Sequence, residues 1–181
     1  MNPDPTTRLT LLSAPLAEPV TLDEAKQFLR IEHNADDANV TRAIAAARQA
    51  AEQFLHFLLL PQQWRFSVSR LCHILALPVG PAQAVSAITA YDHEGASHIV
   101  APEHYRLTLD GHGIIFSQVP TGREFSIALI IGAYADAAAI PAGIKQGLIN
   151  HVAAILENRQ GALPLPQQSI SCYQPYRRVR L

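Results

Sequence analysis

Charge is scarce in this chain: only 16% of its 181 residues are Asp, Glu, Lys or Arg, against about a quarter in ordinary globular domains. With 49% hydrophobic residues, the scarcity excludes wholesale disorder and points to surfaces that meet other protein. Aromatics, at 7%, are too thin for a base-stacking nucleic-acid platform. Cysteine is nearly absent. Cys72 and Cys172, a hundred positions apart, make neither a disulfide scaffold nor a zinc knuckle, and they fit a reducing, cytosolic origin. No basic segment precedes the short Leu9–Leu16 stretch, which Pro15 interrupts, so no signal peptide is expected. Nor does any apolar run reach the roughly 18 residues of a membrane-spanning helix, and a soluble protein is expected.

What is present is alanine, 28 residues of it, which favours helices with closely packed small side chains. The length suits one domain, or a domain with a small subdomain. Acid is missing from residues 158–181, which hold four arginines, whereas residues 1–157 hold ten basic and fifteen acidic residues. A body of net charge −5 thus precedes a tail of +4.

Thr21-Leu22-Asp23-Glu24 has the form of a capping box, predicting a short helix over residues 21–30 with Leu22, Ala25, Phe28 and Leu29 on one face. Asn34 or Asp36 can cap a second helix over residues 36–58. There Val40, Ile44, Ala47, Ala51, Phe54 and Leu58 form a stripe roughly 35 Å long, stopped by Pro61. From residue 62 to 131 the period changes to two, as in Trp64, Phe66 and Val68, so a β meander is expected there. Turns at His93–Ala96 and Gly111–Gly113 divide two hairpins, and Phe125–Ile131 makes a last strand. Pro141 opens a third helix over residues 141–160, with Ile144, Leu148, Val152, Ile155 and Arg159 on one face and Gly161 as its stop. Pro164, Pro166 and Pro175 then predict an extended arm over residues 163–181. The expected fold is α+β: an antiparallel bundle of two long helices and a shorter N-terminal helix, with an inserted β meander. Residues 1–162 form a single domain in this reading.

Catalytic motifs find no support. His93, His98, His104 and His112 share one stretch, yet no H-x-x-x-H or C-x-x-C spacing places two ligands on one face, and turns attract polar residues anyway. His151 reads as a satisfied or half-exposed helical histidine. Asp36-Asp37 suits the positive end of a helix dipole without any chemistry. Gly111-His112-Gly113 lacks the third glycine, helix and lysine of a phosphate loop, and no G-x-S-x-G elbow occurs. No catalytic residue, cofactor or metal is expected. The tail arginines could neutralise phosphates, but four charges behind an acidic body make a weak DNA site. An arm docking on an acidic protein surface, with Tyr173 and Tyr176 as anchors, fits as well.

Several segments together resemble the phage head-tail connector (adaptor) family of tailed phages, prophages and gene transfer agents. They are Glu18–Lys26 leading to Leu29-Arg30-Ile31, Asp36-Asp37 opening an alanine-rich helix, the hairpin Tyr105–Phe116 and Gly132-Ala133-Tyr134. Ile140-Pro141 before Ile144-Lys145-Gln146, Glu157-Asn158-Arg159 and Pro175-Tyr176-Arg177 complete the set. The resemblance implies a structural virion protein at the head-tail interface, assembled in the bacterial cytoplasm. Its copies would form a ring, twelvefold, under the portal, and DNA would pass through without sequence-specific binding. The implied partners are the portal protein, other copies, and the next connector, stopper or tail-terminator protein, with no membrane. The portal-binding arm would present Tyr173, Tyr176, Arg177, Arg178, Arg180 and Leu181. Rival readings are a small DNA-binding module using the basic tail, and a small enzyme built around His104 or His112.

Overall fold

Residues 7–158 and 164–178 are described by the computed structural model of the chain. Helices and antiparallel sheets make it α+β. The chain forms two compact units, Met1–Leu16 with Pro61–Ala133 and Ala17–Leu60 with Tyr134–Leu181.

The first unit is β. Strands β1 (Arg8–Ser13), β2 (Gln62–Val68), β3 (Ile74–Ala76), β4 (Ala82–Tyr91), β5 (Ser97–Ile99), β6 (Tyr105–Leu107), β7 (Gly113–Phe116) and β8 (Glu124–Ile131) make two sheets. Their orders are β1-β2-β8-β4-β5 and β3-β7-β6. The expected meander is corrected here, because β8 inserts between β2 and β4 and the β6–β7 hairpin pairs with β3 in a separate sheet. Burial accounts for the insertion. Along β8, Phe125, Ile127, Leu129 and Ile131 alternate inward, and this strand takes a central place with pairing on both sides. Phe66 lies opposite Ile127 and Val68 opposite Phe125, all four buried. Each fully buried side chain of this size contributes on the order of 1.5–3 kcal/mol. Both expected hairpins form, as β4–β5 and β6–β7. The Asp92 carboxylate accepts from the amides of Glu94 and Ala96, and Gly95 takes φ of 88°.

The second unit is helical, with α1 (Leu22–Leu29), α2 (Asp37–Leu55), α3 (Ala142–Glu157) and α4 (Gln167–Tyr173). The capping box at α1 is complete: the Thr21 hydroxyl accepts from the Glu24 amide at 3.1 Å, and the Glu24 carboxylate accepts from the Thr21 amide at 2.7 Å. These bonds, the Thr21 amide foremost, hold the Glu24 carboxyl below its usual range. Asp37 binds Lys26 at 2.7 Å, tying the start of α2 to α1. On α2, Val40, Ile44, Ala47 and Ala51 of the expected stripe are buried and Ala43 and Leu55 join them, whereas Phe54 is half-buried and Leu58, also half-buried, lies past the helix end. Helix α2 ends at Leu55 rather than at residue 58, with His56 left-handed at φ 62°. The amide of Leu59 is satisfied by the Glu52 carboxylate at 2.9 Å, so the chain leaves the helix before Pro61. Glu52 also binds Arg48 at 2.9 Å, and Arg48 binds Glu18 at 2.7 Å. On α3, Ile144, Leu148 and Val152 are buried as expected, whereas Arg159 and Gly161 lie outside the described residues.

The extended arm is also corrected. Within it, α4 and a 3-10 turn (Gln174–Tyr176) form, and Tyr173 is completely buried. Pro166 stands at the N-cap and Pro175 inside the 3-10 turn, so the seven residues of α4 contain no proline and need none of the amides proline lacks.

Candidate docking surfaces and the C-terminal segment

The tail is seated on α3 by two glycines one helical turn apart. At Gly147 a Cβ would collide with the Tyr173 ring, and at Gly143 it would meet the Tyr176 hydroxyl at 3.0 Å. The Ser169 hydroxyl, itself buried, donates to the Gly147 carbonyl at 2.8 Å. Glycine inside a helix costs roughly 0.5–1 kcal/mol against alanine, so two such positions mark close approach. Tyr173 also tilts against Phe54 of α2 at 6.1 Å. Its hydroxyl is buried without a hydrogen-bond partner among the described residues, and burial, then Cys172, raises its pKa far above the usual phenol range.

Past α4 the backbone reaches the end of α2, where the Arg178 amide donates to the Leu55 carbonyl at 3.2 Å. Arg177 lies with its guanidinium carbon 5.0 Å from the Phe54 ring centroid, and its Nη2 is 3.4 Å from His56 Nε2. Tyr173 is therefore a buried clamp, Tyr176 is half-buried, and Arg177 and Arg178 are exposed. Arg180 and Leu181 lie outside the described residues. His56, Phe54, Gly143 and Gly147 were not among the sequence candidates. The i, i+4 glycine pair inside a helix was the available signal.

Two other surfaces stand out. In the helical unit a cleft of about 700 Å³ is lined by Leu29, Val40, Ala43, Ala153, Ile155 and Leu156, with Asp36, Arg42 and Glu157 also on its wall. On the five-stranded sheet, Ser67, Ala87, Thr89, Ser126 and Ala128 form a hollow bordered by Arg65, Tyr91 and Glu124.

The histidines of the β unit are dispersed. His93 and His98 are exposed, His104 ends a 3-10 turn, and the His112 ring occupies the space where a Gly80 side chain would begin. Asp110 accepts from Thr108 and from the His112 amide, which hold its carboxyl below the usual range and tighten this turn. His151 is buried rather than half-exposed, its Nδ1 lacks a hydrogen-bond partner among the described residues, and burial lowers its pKa. Among the described residues no group of three or more His, Cys, Asp or Glu could hold a metal ion, and no helix is long and apolar enough to cross a membrane.

The cleft of the helical unit and the hollow on the sheet are both lined largely by small and apolar side chains, as protein-protein contact surfaces often are. Residues 19–104 match the family described as phage gp6-like head-tail connector protein. The family resemblance read from the sequence is borne out over that stretch. No curated protein sequence matches it. Among solved structures, a chain in the neck of an empty gene transfer agent particle, computed with C6 symmetry, shares the fold. Its TM-score is 0.80 at 23% identity, over 96% of this chain and 97% of that one. A chain in the virion of a native gene transfer agent particle gives 0.77 at 24% identity, with 96% of each chain covered. A chain in the neck of the native particle, computed with C12 symmetry, gives 0.76 at 23% identity, over 96% and 97%.

Proposed function

We propose that copies of this protein close a ring, twelvefold, between the portal vertex and the tail, extending the channel through which DNA passes without sequence-specific contacts. The observation that carries this reading is the end-to-end likeness, 96% of one chain on 97% of the other, to a chain from a particle neck computed with C12 symmetry. A ring closes only through heterologous contacts, so each copy must offer two different faces. The cleft of the helical unit and the hollow on the sheet are candidates for them. Residues 1–162 are read as the connector body, with the two long helices as an antiparallel pair. The segment after it is read as the portal-facing part, through Tyr176, Arg177, Arg178, Arg180 and Leu181. Tyr173 serves it from beneath. The opposite side of the ring would meet the next connector, stopper or tail-terminator protein. The role is structural, at the head-tail interface of a virion, without catalysis, cofactor or membrane partner.

Cryo-electron microscopy of particles carrying the protein tests this directly. Density for it is expected between portal and tail, and loss of its gene should leave DNA-filled heads without tails. Density in the tail tip or capsid lattice would end the connector reading. Tight duplex DNA binding by the isolated protein would favour the DNA-binding module instead.

A further inference from the structure

The C-terminal end of α2 carries three side chains able to bear positive charge, His56, Arg177 and Arg178, all exposed. None of them forms an ion pair with a carboxylate among the described residues. Arg177 is not loose. Phe54 lies under its guanidinium at 5.0 Å, Phe54 is braced by Tyr173, and Tyr173 is seated on Gly147. The Arg178 backbone is tied to Leu55. Among the described residues, the hydrogen-bond neighbour of the Arg177 guanidinium is the ring nitrogen of His56 at 3.4 Å.

A helix C-terminus attracts cations, and that local effect accounts for some of this placement. It does not account for an exposed guanidinium held in place by Phe54 and His56 with no carboxylate paired to it among the described residues. The geometry points to His56, Arg177 and Arg178 as a preordered carboxylate-binding face that takes an acidic segment of another protein while the tail stays seated on α3. The inference rests on the connector reading and deepens it, replacing a detachable arm by a fixed surface and adding His56 to it. A rigid guanidinium fork matches a carboxylate bidentately, and ordering it beforehand removes part of the entropy cost of docking. DNA fits less well. Two arginines and a histidine on a chain whose first 157 residues carry −5 would give weak, strongly salt-sensitive phosphate binding.

The test uses assembled particles. In a chain carrying R178K, a zero-length carbodiimide couples the new amine to any carboxylate in direct contact, and mass spectrometry reads the product. A crosslink from position 178 to Asp or Glu of another protein chain is expected. Crosslinks only within the same chain, or none in particles that contain the ring, overturn the inference and leave the connector reading standing. A second variant, H56E, supplies Arg177 with a carboxylate in its own chain. The new pair with Arg177 offsets the disfavoured anion at the helix C-terminus, so its melting should stay near that of the parent while incorporation into particles falls at least tenfold. Normal incorporation of H56E would mean that the cluster serves only to cap α2, and the inference fails. Salt-sensitive binding of a 20-bp duplex lost in R177E/R178E would identify nucleic acid as the partner and overturn it too. If the unmodified chain is missing from particle necks, the connector reading fails and this inference falls with it.

Discussion

The ring of Tyr173 lies against the backbone of Gly147, filling the space where any other residue's side chain would begin. The tail is thereby part of the helical unit's core. Replacing Gly147 by Ala sets two effects against each other: alanine favours the helix by roughly 0.5–1 kcal/mol, and overpacking costs about 1–3 kcal/mol. The obstacle is a fully buried ring rather than the end of a flexible side chain, so the clash should win. A net loss of stability in urea unfolding is expected, and a more stable G147A protein would contradict this seating. Tyr173→Phe should be neutral or stabilising by up to about 1 kcal/mol, because the hydroxyl removed has no hydrogen-bond partner.

Arg48 sits between two carboxylates in different environments. Its pair with Glu52 has both side chains 6% exposed, whereas Glu18 is 27% exposed. Arg48→Ala leaves the Glu52 charge buried and should cost about 3–5 kcal/mol. Glu18→Gln, on the solvated side, should cost about 1 kcal/mol or less. Comparing the two variants by denaturant midpoint at neutral pH checks the ordering, and equal losses would show that burial does not set the difference.

Acid should weaken the helical unit in two stages. Burial depresses the folded pKa of His151, so its neutral form is favoured in the fold. The unfolded chain takes up the proton first, and stability falls as pH drops below about 6.5. His151→Gln should flatten that limb by at most about 1.4 kcal/mol per pH unit. Glu24, also depressed, contributes stability that is complete above about pH 4.3 and lost as pH falls through its lower folded value. Thr21→Ala should cost about 0.5–2 kcal/mol at pH 7 and progressively less in acid as Glu24 protonates. Melting curves from pH 7 to 3 would reveal either limb, and parallel curves for variant and parent would refute the assignment.

Local chemistry was the legible part. The capping box at Thr21 and Glu24, the α2 stripe and the turn at Gly95 each depend on residues within a few positions of one another, so spacing suffices to read them. Non-local pairing was not. Strand β1 shows no alternation, since Leu11 and Leu12 are adjacent and both nearly half exposed, and it exists because it pairs with β2 some fifty residues away. The end of α2 was hidden because a side chain, Glu52, satisfies a backbone amide beyond the helix. The prolines of the tail obscured α4: proline breaks a helix only where it falls inside one, and the stretch between Pro166 and Pro175 is free to be helical. At the candidate site, Arg177 and Arg178 could be read from charge asymmetry. His56 and Phe54 come from the other end of the chain and needed the fold.

Truncation separates the seated tail from the detachable arm that proline content suggests. A detachable arm could be removed from residue 170 onward without changing the melting of the body. Seated on α3, the same deletion strips out Tyr173, uncovers the Gly147 face and leaves Leu55 without its bond from Arg178. Removing a buried aromatic ring alone costs about 3–5 kcal/mol in a core. Deletion of residues 170–181 should therefore lower the denaturant midpoint of the helical unit and raise amide exchange along α3. Deleting only residues 179–181 leaves every one of these contacts in place, and its unfolding should match that of the full chain. The decisive comparison is hydrogen exchange at Gly147, Leu148 and His151 in the two truncated proteins. Equal protection in both would mean that α3 does not depend on the tail.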